Sequence, residues 1–119
     1  MITLLYDFET SGLNQYHDDV IEIGIKCIDD GNEFNCLVKP LSKKPISDKI
    51  IKLTTITNEL LESTGISCKD AFIQLFEFIK QYYDKDNQLL LIAHNGHSFD
   101  DIFLKRMNQY LIGEELDKY

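Results

Sequence analysis

The fold is decided by a stretch near the start of the chain, Tyr6-Asp7-Phe8-Glu9-Thr10-Ser11-Gly12-Leu13. It ends an apolar run from Ile2 to Tyr6 that predicts a strand, so Asp7 and Glu9 point to the same face. Two adjacent carboxylates repel each other unless cations compensate them, and carboxylate oxygens suit hard ions such as Mg²⁺ or Mn²⁺. On its own the pair is equally compatible with an ordinary acidic turn, because short motifs arise by chance.

Length and composition predict a single globular domain over residues 1–119, with 44% apolar and 27% charged residues. No apolar run is long enough to span a membrane, and the start of the chain lacks the pattern of a signal peptide. The three cysteines, Cys27, Cys36 and Cys68, have no metal-ligand spacing and predict reduced thiols. We therefore expect an intracellular protein, cytoplasmic or nuclear, without a membrane partner.

The charge of the chain is strongly acidic, with a formal net value of -8. This argues against a general polyanion-binding surface, but it leaves room for a small cleft in which metal ions neutralise carboxylates. Basic residues concentrate in one segment, at Lys39, Lys43, Lys44, Lys49 and Lys52. Runs of charged residues most often form solvated loops, which is the favoured interpretation of this segment. The alternative is a rim that faces the phosphates of a substrate.

The rest of the chain predicts a mixed sheet with helices on its faces. Alternating residues over 20–39, interrupted by a polar turn, predict an antiparallel hairpin. Ser47, Thr57 and Ser67 are predicted helix N-caps, and the last opens a helix over residues 69–83. The helix has an apolar stripe that predicts core residues, at Phe72, Leu75, Phe76, Ile79 and Tyr82.

The unbroken apolar run at residues 89–93 predicts a parallel strand buried on both faces. A further helix is expected from about Asp100, which gives the order β-β-β-α-β-α of an α/β fold. The first strand and the strand at 89–93 are expected to be neighbours, so that Asp7, Glu9 and Asp100 converge at the strand ends. Three carboxylates placed in this way can hold two divalent ions about 3.5–4 Å apart, which clamp a displacement at phosphorus.

The opening stretch resembles the first motif of the DEDD superfamily of 3′→5′ exonucleases, whose fold is ribonuclease H-like. A later stretch is similar to the second motif, Ala93-His94-Asn95-Gly96-His97-Ser98-Phe99-Asp100. Two segments between them also resemble the family, in the same order: Ile21-Glu22-Ile23-Gly24 and Lys52-Leu53-Thr54-Thr55-Ile56-Thr57-Asn58. The resemblance covers almost the whole chain and points to the DnaQ-like branch, which contains bacterial proofreading subunits.

The resemblance implies a role for individual residues. The metal-binding, catalytic carboxylates would be Asp7, Glu9 and Asp100. The 3′-terminal nucleotide would be bound by Phe8, Thr10, Gly12, Leu13, Leu53, Thr54 and Asn95. The alternative is that Leu13 and Leu53 are ordinary leucines of the hydrophobic core with no contact to a nucleotide. His97 is not expected to be the general base, and Glu22 is not expected to be a ligand.

The family also has a third motif, in which a His is followed five residues later by Asp, or a Tyr four residues later by Asp. No His follows Asp100, and Tyr110 has no Asp at that distance. We therefore expect a C-terminally truncated domain that lacks the final strand and helix, with a weakened second metal site. It would be a fragment of a longer reading frame, a degenerate member of the family, or a half that another chain completes. The missing base alone predicts a loss of roughly 10²–10⁴ in rate.

The function implied by the resemblance is metal-dependent hydrolysis of nucleotides from the 3′ ends of single-stranded DNA or RNA, with Mg²⁺ or Mn²⁺. The first alternative is a catalytically incomplete module that binds nucleic acid, a nucleotide or a partner protein. The second is a purely structural domain in which the three carboxylates do not converge. A partner chain or second copy is also expected to cover the apolar surface left by the truncation.

Overall fold

The computed structural model describes residues 1–12, 18–42, 44–83 and 89–93. The elements within these ranges are β1 (Ile2–Thr10), β2 (Val20–Cys27), β3 (Glu33–Leu37), α1 (Asp48–Thr54), α2 (Asn58–Thr64), α3 (Cys68–Lys80) and β4 (Leu89–Ala93). None of these helices has the length and apolar character needed to cross a membrane. The helix predicted from Asp100 lies outside the described residues.

The strands form one mixed sheet in the order β3-β2-β1-β4. Antiparallel pairing joins β1 to β2 and β2 to β3, which confirms the predicted hairpin. Parallel pairing joins β1 to β4 and places Tyr6 beside Ala93, which confirms that these strands are neighbours. The register therefore ends β4 one residue short of Asp7, at the edge of the sheet where the carboxylates were predicted to lie.

The main core lies between one face of this sheet and α3. Alternate residues of β1 point into it, namely Leu4, Tyr6 and Phe8, and all three are buried. The predicted stripe of α3 meets them: the rings of Phe8 and Phe72 lie 5.8 Å apart, nearly edge to face. Since successive side chains alternate, burial of Phe8 directs Asp7 and Glu9 to the opposite face. The main core thus fixes the orientation of both carboxylates.

Two predictions about the strands are corrected by the structure. The first strand does not end at Tyr6 but continues to Thr10, because β2 pairs with it throughout the motif. The prediction that the strand at 89–93 is buried on both faces is wrong, since Leu90 and Ile92 are 42% and 40% exposed. The reason is that α3 packs only on the face that carries Leu89 and Leu91.

A second, smaller cluster holds α1 and α2 at the end of the sheet. Its buried members are Ile21, Ile46, Ile56 and Leu61, with Leu37, Ile50 and Ile51 packed against them. The predicted N-caps are confirmed, since the side chains of Ser47, Thr57 and Ser67 each accept a backbone N–H of the first turn. Leu37 lies opposite Glu22 in the sheet. The cluster therefore joins α1 to the strands that carry the carboxylates.

The C-cap of α1 has a strained backbone, because Thr55 lies in the left-handed region with φ 62° and ψ 9°. For an L-residue this conformation costs roughly 1–2 kcal/mol, whereas glycine adopts it freely. Replacing Thr55 by Gly is expected to raise the free energy of unfolding by about 1 kcal/mol, after the entropy that glycine adds to the unfolded chain is subtracted. Urea unfolding would measure this change.

The neighbouring Thr54 provides the matched control. It ends α1 with ordinary helical geometry, and its hydroxyl donates to the carbonyl of Ile50 at 2.9 Å. Thr54→Gly should therefore lower stability, by about 1 kcal/mol. A loss of stability in both variants would show that the backbone at Thr55 is not strained.

Candidate functional site

Three carboxylates share the face of the sheet that points away from the main core. Asp7 and Glu9 are both half-buried on β1. Glu22 of β2 lies directly opposite Glu9 in the register, and Asp7 lies opposite Gly24. Cross-strand neighbours have Cβ atoms about 4.5–5.5 Å apart, so the structure brings Glu22 next to the predicted pair. A register shift between Glu9 and Thr10 then ends the regular pairing.

The electrostatics of this face follow from that arrangement. Burial raises the pKa of the Glu9 carboxyl, and the charges of Asp7 and then Glu22 raise it further. Burial also raises the pKa of Glu22, followed by the effect of Asp7. Like charges that are partly removed from water disfavour ionisation, and a bound cation would relieve this cost. The face is therefore suited chemically to a positive ligand.

The sequence placed Glu22 on a strand near the opening motif, but its position directly opposite Glu9 was not predicted. It occupies the polar position in the alternation Ile21-Glu22-Ile23, which places it on the face opposite to the core. The hairpin pairing then makes β2 a neighbour of β1. What the sequence did not supply was the register, which pairs Glu9 with Glu22 across the two strands.

The donor set can be compared with the needs of a divalent metal ion. Carboxylate oxygens are the ligands that Mg²⁺ and Mn²⁺ prefer, so Asp7 and Glu9 fit such an ion. Within residues 1–12, 18–42, 44–83 and 89–93, no group of three His, Cys, Asp or Glu side chains could hold a metal ion. The third predicted ligand, Asp100, lies outside these ranges, as do Leu13 and Asn95. The prediction about these three residues is therefore not tested by the described residues.

The turn after β1 is tightly organised. The hydroxyl of Thr10 donates to the carbonyl of Gly12 at 2.7 Å. The carboxylate of Asp18 occupies the space that a Cβ atom at Gly12 would take, so a side chain at this position would have to displace Asp18. The side chain of Phe8 is buried in the core, which leaves only its backbone for contact with a ligand. The predicted nucleotide contacts on this segment thus reduce to backbone groups and the Thr10 hydroxyl.

The other predicted contacts lie at the C-terminal end of α1. Leu53 is 72% exposed, so the alternative of an ordinary core leucine does not apply to it. Thr54 is half-buried, and its hydroxyl both donates to the carbonyl of Ile50 and accepts the N–H of Ile56. The side chain of Leu53 is therefore free to pack against a ligand, whereas the hydroxyl of Thr54 is already hydrogen-bonded within the protein.

The lysine segment contributes exposed charge at several positions. Lys39, Lys44, Lys49 and Lys52 are all exposed, and Lys43 lies outside the described residues. Two of them, Lys39 and Lys44, line an open cavity of about 560 Å³ bounded by α2 and the start of α3. Of the three carboxylates on the acidic face, Asp7 borders a different hollow, of about 150 Å³, which Gly24 and Lys26 also line. The larger cavity is thus separate from the acidic face.

The raised pKa values of Glu9 and Glu22 predict a pH-dependent effect on stability. A carboxyl whose pKa is higher in the folded state adds no cost below its ordinary pKa of 4.5, and it destabilises the fold as pH rises through the folded value. Glu22→Gln should therefore stabilise the metal-free chain at about pH 7 by roughly 0.2–1 kcal/mol, the size of a cross-strand pair. At about pH 3.5 the gain should vanish.

Thermal unfolding with a chelator at the two pH values would test this prediction. The control is Glu59→Gln in the exposed first turn of α2, which removes the same charge away from the acidic face. A gain for Glu22→Gln that is equal at both pH values would contradict repulsion among the carboxylates.

Comparison with known proteins adds independent information. The exonuclease family RNase_T matches residues 4–118 of this chain. The PolC-type DNA polymerase III of Mycoplasma genitalium is 37% identical over 103 residues, which cover 86% of this chain and 6% of the relative. The PolC-type DNA polymerase III of Thermotoga petrophila is 30% identical over 118 residues, which cover 97% of this chain and 8% of the relative. The chain therefore spans less than a tenth of the length of these relatives.

Solved structures support the same fold. A product-bound exonuclease I superposes with a TM-score of 0.75 at 16% identity, over 90% of this chain and 25% of that one. E. coli exonuclease I in complex with a dA16 oligonucleotide superposes with a TM-score of 0.75 at 17% identity, over 90% of this chain and 23% of that one. At such identities the match concerns the fold alone, and it confirms the predicted ribonuclease H-like α/β architecture.

Proposed function

This chain belongs to the RNase_T exonuclease family, and from that membership we propose that it is a 3′→5′ exonuclease domain acting on single-stranded nucleic acid. The observation that carries the proposal is the pair of half-buried carboxylates, Asp7 and Glu9, on the face of the sheet opposite the main core. Hydrolysis would release nucleotides one at a time from the 3′ end. The relatives named as DNA polymerases make single-stranded DNA the first substrate to test, with RNA as the second.

The cation of the proposed site is Mg²⁺ or Mn²⁺, held by Asp7, Glu9 and Asp100. Such an ion supplies Lewis-acid chemistry at the phosphate when it is bound. The carboxylates of β1 contribute by their fixed spacing, because the buried Phe8 between them locks both onto one face. Support for this assignment comes from the placement of Asp7, Glu9 and Glu22 on one face, where burial and then the charges of Asp7 and Glu22 raise the pKa of Glu9.

The terminal nucleotide is proposed to bind between the turn after β1 and the end of α1. Thr10 and the backbone from Phe8 to Gly12 would hold its sugar and phosphate, since the bond from Thr10 to Gly12 keeps the turn in one shape. Leu53 would pack against the base with its exposed side chain. We assign supporting contacts to Leu13, Thr54 and Asn95. Support for nucleic acid as the ligand comes from E. coli exonuclease I, whose structure holds an oligonucleotide.

Incubation with 5′-labelled single-stranded DNA and Mn²⁺ tests the proposal. We expect slow shortening from the 3′ end in steps of one nucleotide, because residues 101–119 of the chain under test contain no His that could act as a base. Calorimetry with thymidine 5′-monophosphate and Mn²⁺ measures binding at the site independently of turnover. Binding without cleavage would identify the incomplete binding module instead. Internal cuts, shortening from the 5′ end, or no binding at all would contradict the proposed site.

A further inference from the structure

Asp19 is a buried charged residue that the proposed chemistry does not use. Its side chain is only 7% exposed, although it lies just before β2. The carboxylate accepts the hydroxyl of Ser42 at 2.7 Å and the Ser42 N–H at 3.4 Å. A carboxylate is costly to bury unless it is hydrogen-bonded, so these contacts specify where the residue sits.

The backbone of Asp19 binds the turn that follows β1. Its N–H donates to the hydroxyl of Ser11 at 2.8 Å, and its carbonyl accepts the N–H of Ser11 at 2.7 Å. The carboxylate of the neighbouring Asp18 lies beside Gly12, in the space that a Cβ atom would take. Ser11 and Gly12 are therefore held from one side by Asp18 and Asp19.

The segment that carries Ser42 is itself fixed at both ends. The N–H of Lys39 donates to the carbonyl of Ile66 at 2.8 Å. At the other end, Ile46 donates its N–H to the side chain of Asn58 at 2.8 Å, and Asn58 returns a bond to the Ile46 carbonyl at 3.4 Å. Ser42 thus belongs to a framework built on α2 and the strand ends.

We infer that Asp19 is a positioning residue that fixes the Ser11–Gly12 backbone against the framework at Ser42. This inference rests on the proposed function, because it is the proposed nucleotide site that uses this backbone. The order of contacts is Ser42 to the Asp19 carboxylate, then the Asp19 backbone to Ser11. Asp19 touches neither substrate nor metal in this scheme; it sets the place where the 3′-terminal nucleotide binds.

Binding and local exchange test this role together. In the folded chain, Asp19→Ala should weaken the affinity for thymidine 5′-monophosphate with Mn²⁺ by about tenfold or more, and Ser42→Ala by several-fold. Asp19→Asn keeps an acceptor for the Ser42 hydroxyl and should stay within about threefold of the unsubstituted chain. Asp48→Ala, at the exposed start of α1, removes the same charge without touching the turn and should have no effect.

Amide hydrogen exchange measures how firmly the Ser11 backbone is held, and it needs no ligand. Asp19→Ala and Ser42→Ala should each speed exchange at Ser11 by at least about tenfold relative to Ile25 in β2. If the exchange changes but the unsubstituted chain binds no nucleotide, the proposed function fails and the positioning of Ser11 stands. If Asp19→Ala does not fold, Ser42→Ala decides the result. Affinity and Ser11 exchange that match those of Asp48→Ala would overturn the inference.

Discussion

Replacing Asp7 by Asn is expected to slow release of the 3′-terminal nucleotide by more than ~10²-fold and to abolish Mn²⁺-dependent binding of thymidine 5′-monophosphate. The substitution keeps the shape of the side chain but removes one of the charges that a divalent ion requires. Loss of an outer partner of a metal ligand typically costs ~10–100-fold, and loss of a ligand itself should exceed that. Gel assays on 5′-labelled DNA and calorimetry would measure the two effects.

The same substitution should leave the fold intact or slightly more stable. Asp7 contributes to the raised pKa of both Glu9 and Glu22, so its removal relieves repulsion in the metal-free chain. A loss of activity therefore cannot be assigned to unfolding. Asp48→Asn on the surface of α1 is the matched control and should behave like the unsubstituted chain. Equal activity and binding in the Asp7 and Asp48 variants would exclude Asp7 from the site.

Replacing Phe72 by Ala is expected to have the largest effect on stability, a loss of about 3–5 kcal/mol. Phe72 is fully buried in α3, and its ring lies 5.8 Å from Phe8 and 6.2 Å from Phe76. The change removes a large apolar surface and leaves a cavity under β1. Because a domain is usually stable by only about 5–15 kcal/mol, this variant should unfold at far lower urea concentration.

Phe78 offers an internal comparison on the same helix. It is only half-buried and stacks on Phe34 with ring centroids 6.5 Å apart. Its truncation should cost about 1–2 kcal/mol, since part of its surface is already in water. A larger loss for Phe78→Ala than for Phe72→Ala would contradict the placement of the main core between α3 and β1.

Much of this architecture could be predicted because its causes are local. The alternation around Asp7 and Glu9 gave their shared face, and the Ser and Thr caps gave the starts of all three described helices. The parallel pairing of β1 with β4 followed from the unbroken apolar run at residues 89–93 and the short connections of the other strands. The shared face and the caps are decided by residues within a few positions of one another, whereas the pairing of β1 with β4 was predicted from the order of the elements.

The features that the sequence did not reveal depend on contacts between distant segments. Glu22 faces Glu9 only because of the register of β1 against β2. The link from Asp19 to Ser42 joins residues 23 positions apart. The exposure of Ile92 depends on which face of the sheet α3 covers, and that of Leu53 on how α1 lies against the second cluster. Neither exposure is encoded by local spacing.

Asp7 and Glu9 are proposed to form part of a divalent cation site on the face of the sheet opposite the main core. Crystals soaked with Mn²⁺ and thymidine 5′-monophosphate would test it through anomalous difference density. We expect a peak about 2–2.5 Å from carboxylate oxygens of both Asp7 and Glu9, with the nucleotide phosphate beside it. A nucleotide-bound crystal without a Mn²⁺ peak at these two residues, or with Mn²⁺ bound only elsewhere, would contradict the account.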